Sequence, residues 1–275
     1  MISLIIISYD GYSDCWEPFC KQLIKYFPEA KDFEIILSTT TKTYKYEGLN
    51  IKTIAHGNEA PWSKRLKQTL QQAKHDIVLP LTEDYFLKSK VDFQKFTYFV
   101  DLIKNNDKID FIRILRYRVR WKAIKSEFKY LERINQITKH RFLYVPGLWK
   151  KNILMKYLND YENVFMAEKI SGYRSWIRKD GFYSITEEYV QKHGQLYDSF
   201  NSGFIFKGKW VPWGVRVLNE EKIEIDFEKR GILSKEAMRK TRIQSKLNML
   251  KTPTSTLRSF GSIVLLFLKS LFVKL

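Results

Sequence analysis

An α/β fold with a mostly parallel, mixed central sheet and a C-terminal helical extension is predicted from three observations. Short apolar runs alternate with segments of helical spacing, one of those runs stops on two adjacent acids, and the last part of the chain turns basic and then apolar. In order, Ile2 to Ser8 reads as a strand, Trp16 to Tyr26 as a helix, Phe33 to Ser38 as a second strand and Ile51 to Ala55 as a third. Trp62, Leu66, Leu70 and Ala73 recur at the spacing of one helix face. Asp76-Ile77-Val78-Leu79-Pro80-Leu81 follows as the kind of short apolar run buried in a parallel sheet. A helix over Asp92 to Lys104 and a strand over Ile109 to Leu115 complete the alternation.

The strand at Ile77 to Leu81 ends on Glu83 and Asp84. In an open α/β sheet the ligand crevice lies beyond the carboxyl ends of the strands, so both carboxylates are expected to face it. Adjacent carboxylates suit a divalent cation. Mn²⁺ or Mg²⁺ is held by one or two carboxylates and completed by substrate phosphates, which makes a nucleotide diphosphate the natural third party. A solvated acidic turn is the alternative.

With 275 residues, 44% of them hydrophobic and 15% aromatic, the chain has the composition of a folded globular protein. A formal net charge of +18 calls for an anionic partner, whether nucleic acid, an anionic membrane or phosphate-bearing substrates. Cys15 and Cys20 match no zinc or redox spacing, and the pair fits a reducing cytoplasm. The run Leu4 to Ile7 has no basic segment before it and no small-residue cleavage site after it, and is expected to be a first strand instead of a signal peptide. From Arg113 to Lys125, Arg116, Arg118, Arg120 and Lys122 interleave with Tyr117, Val119 and Trp121, as in a strand with one basic face.

No repeat or low-complexity linker divides residues 1–230, which are read as one domain, with 231–275 as a basic amphipathic tail. From Arg230 onward the basic residues face a single acid, Glu236. The final run from Ser259 to Val273 is apolar but interrupted by Lys269, and spanning a bilayer takes about 20 apolar residues. An interfacial helix on an anionic membrane is therefore expected, and a helix packed on the protein's own core is the alternative.

Several segments, taken in their order, carry a resemblance. They are Ile5-Ile6-Ile7-Ser8-Tyr9-Asp10, Trp62-Ser63-Lys64-Arg65-Leu66, Leu81-Thr82-Glu83-Asp84-Tyr85-Phe86, Val145-Pro146-Gly147-Leu148-Trp149-Lys150, Glu162-Asn163-Val164-Phe165-Met166-Ala167-Glu168 and Phe206-Lys207-Gly208-Lys209-Trp210. Together they resemble bacterial GT-A-fold glycosyltransferases of surface-polysaccharide (capsule and O-antigen) gene clusters over about residues 1–230. The resemblance implies a GT-A-like nucleotide-binding sandwich, a nucleotide-sugar donor with a UDP-sugar first in line, and a saccharide or lipid-linked acceptor at the inner face of the cytoplasmic membrane. It also implies that Ser8, Tyr9 and Asp10 meet the base and ribose. Arg65 would reach the diphosphate, Glu83 and Asp84 would face the donor, with Asp84 on the metal or the sugar, and Trp149 would stack on a sugar ring unless it belongs to the core. Glu168 is the candidate base for an acceptor hydroxyl. The chain departs from the pattern where Val164, Phe165 and Met166 replace Pro, Trp and Glu, and where Glu83-Asp84-Tyr85 replaces Asp-X-Asp. Two other functions fit the composition: a nucleic-acid-binding protein using the basic strand 113–125, although no nucleic acid is expected, and a non-catalytic membrane-associated scaffold.

Overall fold

The computed structural model describes residues 1–116, 123–138, 140–199, 203–234, 237 and 253–273. Its centre is a nine-stranded sheet. The first half contains β1 (Ser3–Ile7), α1 (Trp16–Tyr26), β2 (Glu34–Thr39), β3 (Ile51–Ala55), α2 (Trp62–Gln72), β4 (Ile77–Thr82) and α3 (Phe93–Lys104). The second contains β5 (Phe111–Arg113), β6 (Ala123–Lys125), β7 (Leu131–Ile134), β8 (Gly147–Lys150), α4 (Lys151–Lys156), α5 (Val164–Ile177), β9 (Phe182–Ile185) and α6 (Glu187–His193). A hairpin of β10 (Ile205–Phe206) and β11 (Lys209–Trp210), then α7 (Pro212–Glu220) and α8 (Pro253–Phe272), complete the described chain.

The strands lie in the order β3-β2-β1-β4-β8-β5-β9-β7-β6. Strands β1 to β4 are mutually parallel, and β5 and β9 run with them, whereas β8 is antiparallel to both β4 and β5 and β7 is antiparallel to β9. The mixed, mostly parallel sheet is thus present, as is the C-terminal helix. Every residue of β1 is buried because both faces of the sheet are covered: Leu4 and Ile6 pack with α1 and α3, Ile5 and Ile7 with α2 and α4. The helices supply matching stripes, Trp16, Phe19, Cys20 and Leu23 on α1 and Phe96, Phe99, Val100 and Ile103 on α3. Asp92 caps α3 by accepting from the Lys95 N–H at 3.0 Å.

One irregularity positions the site. β4 pairs β8 only through Ile77 and Val78, so the two strands part before Pro80, which has no N–H to give a ladder. Beyond Val78 the carboxyl half of β4 has no ladder partner in β8, and the carboxyl edge of the sheet, between the ends of β1 and β4 and the lead into β8, is where a ligand crevice is expected. The chain stays on this body beyond residue 230, since the Leu233 N–H donates to the Trp210 carbonyl at 2.8 Å.

Candidate functional site

The site is built from the ends of parallel strands. β1 is followed by Ser8, which is buried; its Oγ accepts from Trp16 Nε1 at 2.8 Å and its carbonyl accepts from Arg65 Nη1 at 3.0 Å. Ser8 therefore holds the helix α1 and the side chain of Arg65 and has no free face toward a ligand. Tyr9 follows with its ring 44% exposed and edge-on to Tyr12, the two centroids 4.9 Å apart. Asp10 accepts backbone N–H groups from Thr40 at 3.0 Å, Thr41 at 3.0 Å and Lys42 at 3.1 Å. Desolvation pushes its pKa up, but the bonds from Thr41, Thr40 and Lys42 outweigh that and hold the carboxyl well below the usual carboxylate range. Asp10 thus fixes the loop after β2 and turns Tyr9 outward.

Glu83 and Asp84 go opposite ways. Glu83 is 5% exposed and lies against the α1 layer beside Ile6, Trp16, Phe19 and Leu37. Burial, then the charge of Asp84, raises its pKa well above the ordinary range and so favours its protonated form. It is not placed as a ligand of donor or metal, in contrast to the sequence expectation, because alternation along the strand turns it to the covered face. Asp84 is half-buried just past the end of β4. Its Oδ1 accepts from Thr82 Oγ1 at 2.7 Å and its Oδ2 from the Ile205 N–H at 3.4 Å, while its carbonyl accepts from the Phe204 N–H at 3.1 Å. Gly203 makes this approach possible: a Cβ there would sit 1.8 Å from Asp84 Oδ2.

Positive charge comes from two sides. Arg65, half-buried, has a buried Nε–H with no partner among the described residues. Arg230 binds Asp14 through Nε at 2.6 Å and a second guanidinium contact, donates to the Gly11 carbonyl at 2.6 Å, and lies 4.3 Å from the centroid of Tyr12. Its charge also lowers the pKa of Glu83 and of Asp84 against their burial. Sequence reading missed Arg230, Asp14, Tyr12 and Gly203, since nothing local marks a residue whose partner lies more than a hundred positions away.

Glu168 stands on α5, half-buried, and accepts from the Tyr144 N–H at 3.3 Å. Tyr144 leads into β8 and packs edge-on against Trp62 of α2, the centroids 4.6 Å apart, which sets Glu168 near the start of the helix that carries Arg65. Burial raises its pKa, with the Tyr144 N–H and the charge of Arg113 opposing. Trp149 is elsewhere. Its ring is 2% exposed and packs between Phe111 at 4.2 Å and Phe182 at 5.1 Å, so its aromatic faces are spent on the core and none is left for a sugar.

The basic strand 113–125 is only partly covered by the structure, since residues 117–122 lie outside the described residues. Arg113 is fully buried and donates to the carbonyls of His140 and Arg141, and Arg116 pairs with Glu132 and Glu187. The first two basic residues are thus engaged inside the protein, whereas β6 at the other end, Ala123–Lys125, is exposed throughout.

As to a metal, no group of three His, Cys, Asp or Glu side chains that could hold one occurs among the described residues. With Glu83 turned inward and Asp14 paired with Arg230, Asp84 alone can serve. A Mn²⁺ or Mg²⁺ ion fits here as one seated on a single carboxylate and completed by donor phosphates and water, and does not fit as one caged by protein.

Because burial raises the Glu83 pKa in the folded state above its unfolded value near 4.5, the stability it lends is full below that value and is lost as pH rises through its raised folded pKa. Glu83→Gln is expected to fold and to resist alkaline destabilisation better than the parent. Melting temperatures of both proteins across a pH series measure this; parallel curves would show Glu83 to be ionised and solvated.

No protein-family model matches the sequence, and no curated protein matches it. Solved structures share part of its chain path. S. aureus TarS 1–349 in complex with UDP gives a TM-score of 0.49 at 14% identity, over 68% of this chain and 58% of that one. The same protein with UDP-GlcNAc gives 0.48 at 17% identity, over 68% and 56%. The mannosyltransferase PcManGT from Pyrobaculum calidifontis, in complex with GDP-Man and Mn²⁺, gives 0.45 at 11% identity, over 67% and 54%. The match to another TarS structure spans only 37% of that protein's length. Such values describe a partial likeness and carry no inference about activity.

Proposed function

We propose that this protein is a GT-A-like glycosyltransferase that moves a sugar from a nucleotide donor, a UDP-sugar first in line, to a lipid-linked saccharide in the synthesis of a bacterial surface polysaccharide. The observation that carries the reading is Asp84, a crevice carboxylate fixed by Thr82, Ile205 and Gly203 at the end of a central parallel strand, with Arg65 and the exposed ring of Tyr9 at the end of the neighbouring one. Tyr9 stacks on the base, Arg65 meets the diphosphate from one side, and Arg230 adds positive field from the other. Asp84 holds the donor sugar or the metal. A Mn²⁺ or Mg²⁺ ion on Asp84 would supply Lewis-acid neutralisation of the leaving diphosphate.

In this scheme the acceptor oxygen forms a bond to the anomeric carbon as the bond from that carbon to the diphosphate oxygen breaks. The hydroxyl proton passes to Glu168, and the departing negative charge rests opposite Arg65. A base on the acceptor side implies inversion at the anomeric carbon. The basic segment after Arg230, of which Lys235 and 239–251 lie outside the described residues, and the apolar helix α8 support a cytoplasmic protein held to the inner face of an anionic membrane.

Glu168→Gln is expected to lower kcat by about 10² to 10⁴-fold while donor affinity, read by calorimetry, stays within a few fold. The parent should lose rate as pH falls through the raised Glu168 pKa, so the acid limb lies above the usual carboxylate range. Loss of donor affinity together with rate would move Glu168 to the donor site and leave a retaining mechanism. Thermal shift with UDP, GDP, CMP and short oligonucleotides, with and without Mn²⁺, separates the rival readings, because only a ligand that binds the folded state raises the melting temperature. A response to oligonucleotides alone would favour nucleic-acid binding, and no response to any nucleotide would favour a scaffold.

A further inference from the structure

Helix α8 is mounted with its polar side inward. Among its described residues the only buried one is a serine, Ser259, whose Oγ donates to Glu162 Oε1 at 2.7 Å. Ser262 accepts from Asn159 Nδ2 and from Arg174 Nη2, each at 3.2 Å, and the Arg258 carbonyl accepts from the Tyr161 hydroxyl at 3.2 Å. Three or four residues apart on the opposite side stand Leu257, Phe260, Val264, Phe267, Leu268 and Leu271, between 44% and 72% exposed. In a soluble helix the apolar stripe faces the body and the polar stripe faces water. Here serines make the polar contacts to the body, the same side carries the half-buried Ile263 and Leu266 and runs on to Ser270, and the most exposed positions are the large apolar ones.

We infer that α8 is an interlayer: its serine stripe is clipped to α5 while its apolar stripe lies flat in the headgroup region of an anionic bilayer. The inference rests on the membrane-associated reading above and adds a fixed pose to it. Thr254–Phe272 is long and apolar enough to cross a membrane. Crossing, however, would pull Ser259 and Ser262 from the buried Glu162 and Arg174 and carry Lys269 through hydrocarbon. Lying flat keeps every one of those contacts, lets Lys269 reach the headgroups beside the protein, and puts the exposed Arg258 near the lipid phosphates. The bilayer then faces α5 across one helix layer, about 10 Å. Since α5 carries Glu168, the acceptor class that suits this pose is a lipid-linked saccharide whose reacting sugar is close to its lipid, not the far end of a long polymer.

Spin labels on cysteines placed at Leu257, Val264 and Leu271 of the full chain test the pose directly. Cys15 and Cys20 are buried and burial pushes both thiols up, so neither competes for label. In vesicles of phosphatidylglycerol and phosphatidylcholine, all three labels are expected at one shallow depth, shielded from a water-soluble nickel relaxant. A deepest point at Val264 would mean crossing and a deepest point at Leu271 would mean end-on insertion; either overturns the inference. No shielding by lipid would show that the stripe covers another protein surface, and overturns it too. A second pair of labels, at Phe165 on α5 and Leu268 on α8, is expected to keep its distance distribution when vesicles are added, and broadening would show that the clip opens. Neither readout involves donor or acceptor, so failure here is distinguishable from failure of the glycosyltransferase reading.

Discussion

Asp84→Asn is expected to reduce sugar transfer by at least about a hundredfold in kcat/KM, roughly 2.7 kcal/mol of transition-state stabilisation, while leaving the melting temperature near that of the parent. The asymmetry follows from geometry. An asparagine can still accept from the Thr82 hydroxyl at the Oδ1 position, so the turn after β4 survives, but the carboxylate that the proposed mechanism sets against the donor is gone. Gly203→Ala should act on the same carboxylate from outside, since a methyl group 1.8 Å from Oδ2 displaces either Asp84 or the loop that carries Phe204 and Ile205. EDTA should depress the parent's activity, because a one-carboxylate metal seat depends on free ion in solution. Transfer assays beside thermal unfolding separate the arms. An active Asp84→Asn enzyme would remove Asp84 from the site, and activity insensitive to EDTA would leave it as a ligand of the donor sugar alone.

The contrast between Glu83 and Asp84 shows how far the sequence could be read. That the strand from Ile77 runs into acids at the carboxyl edge of the sheet was legible, because an apolar run followed by an acidic turn depends only on neighbours in the chain. Which acid faces the crevice was not, since it depends on the phase of strand alternation at the last residue, and a pair of carboxylates looks alike from either side. The helices at Trp16, Trp62 and Asp92 were legible for a related reason: their stripes repeat every three or four residues. The antiparallel insertion of β8 between β4 and β5 was not, because Phe111 meets Trp149 through non-local pairing. The same pairing decided the fate of Trp149, whose two readings, sugar platform and core, differ only in what the rest of the chain brings to its faces. Asp10 was found but for another purpose, as its carboxylate is saturated by the N–H groups of residues 40–42 before any ribose could reach it.

Arg174→Met is expected to cost about 3 to 5 kcal/mol of stability, the penalty for leaving a buried carboxylate without its cation. Glu162 is fully buried and Arg174 nearly so; Nη1 meets Oε2 at 2.9 Å and Nη2 closes the fork on Oε1. The same guanidinium reaches the Tyr157 carbonyl at 2.9 Å and Ser262 of α8, so its loss unties three elements at once. Glu162 also anchors α2, because its carbonyl accepts from the Ser63 N–H at 3.1 Å, and that backbone bond remains in every side-chain variant. Replacing both partners, Glu162→Met with Arg174→Met, should therefore recover much of the loss, as apolar groups of similar volume often substitute for a buried ion pair at little cost. α8 would nevertheless be released in the double variant, for Ser259 and Ser262 would face methionine in place of charge. Urea unfolding reports the stability of the three variants, and limited proteolysis near Leu257 reports the docking of α8. A loss below about 1 kcal/mol for Arg174→Met would place the pair among solvated surface bridges, and α8 would then have no rigid mount on the helix that carries Glu168.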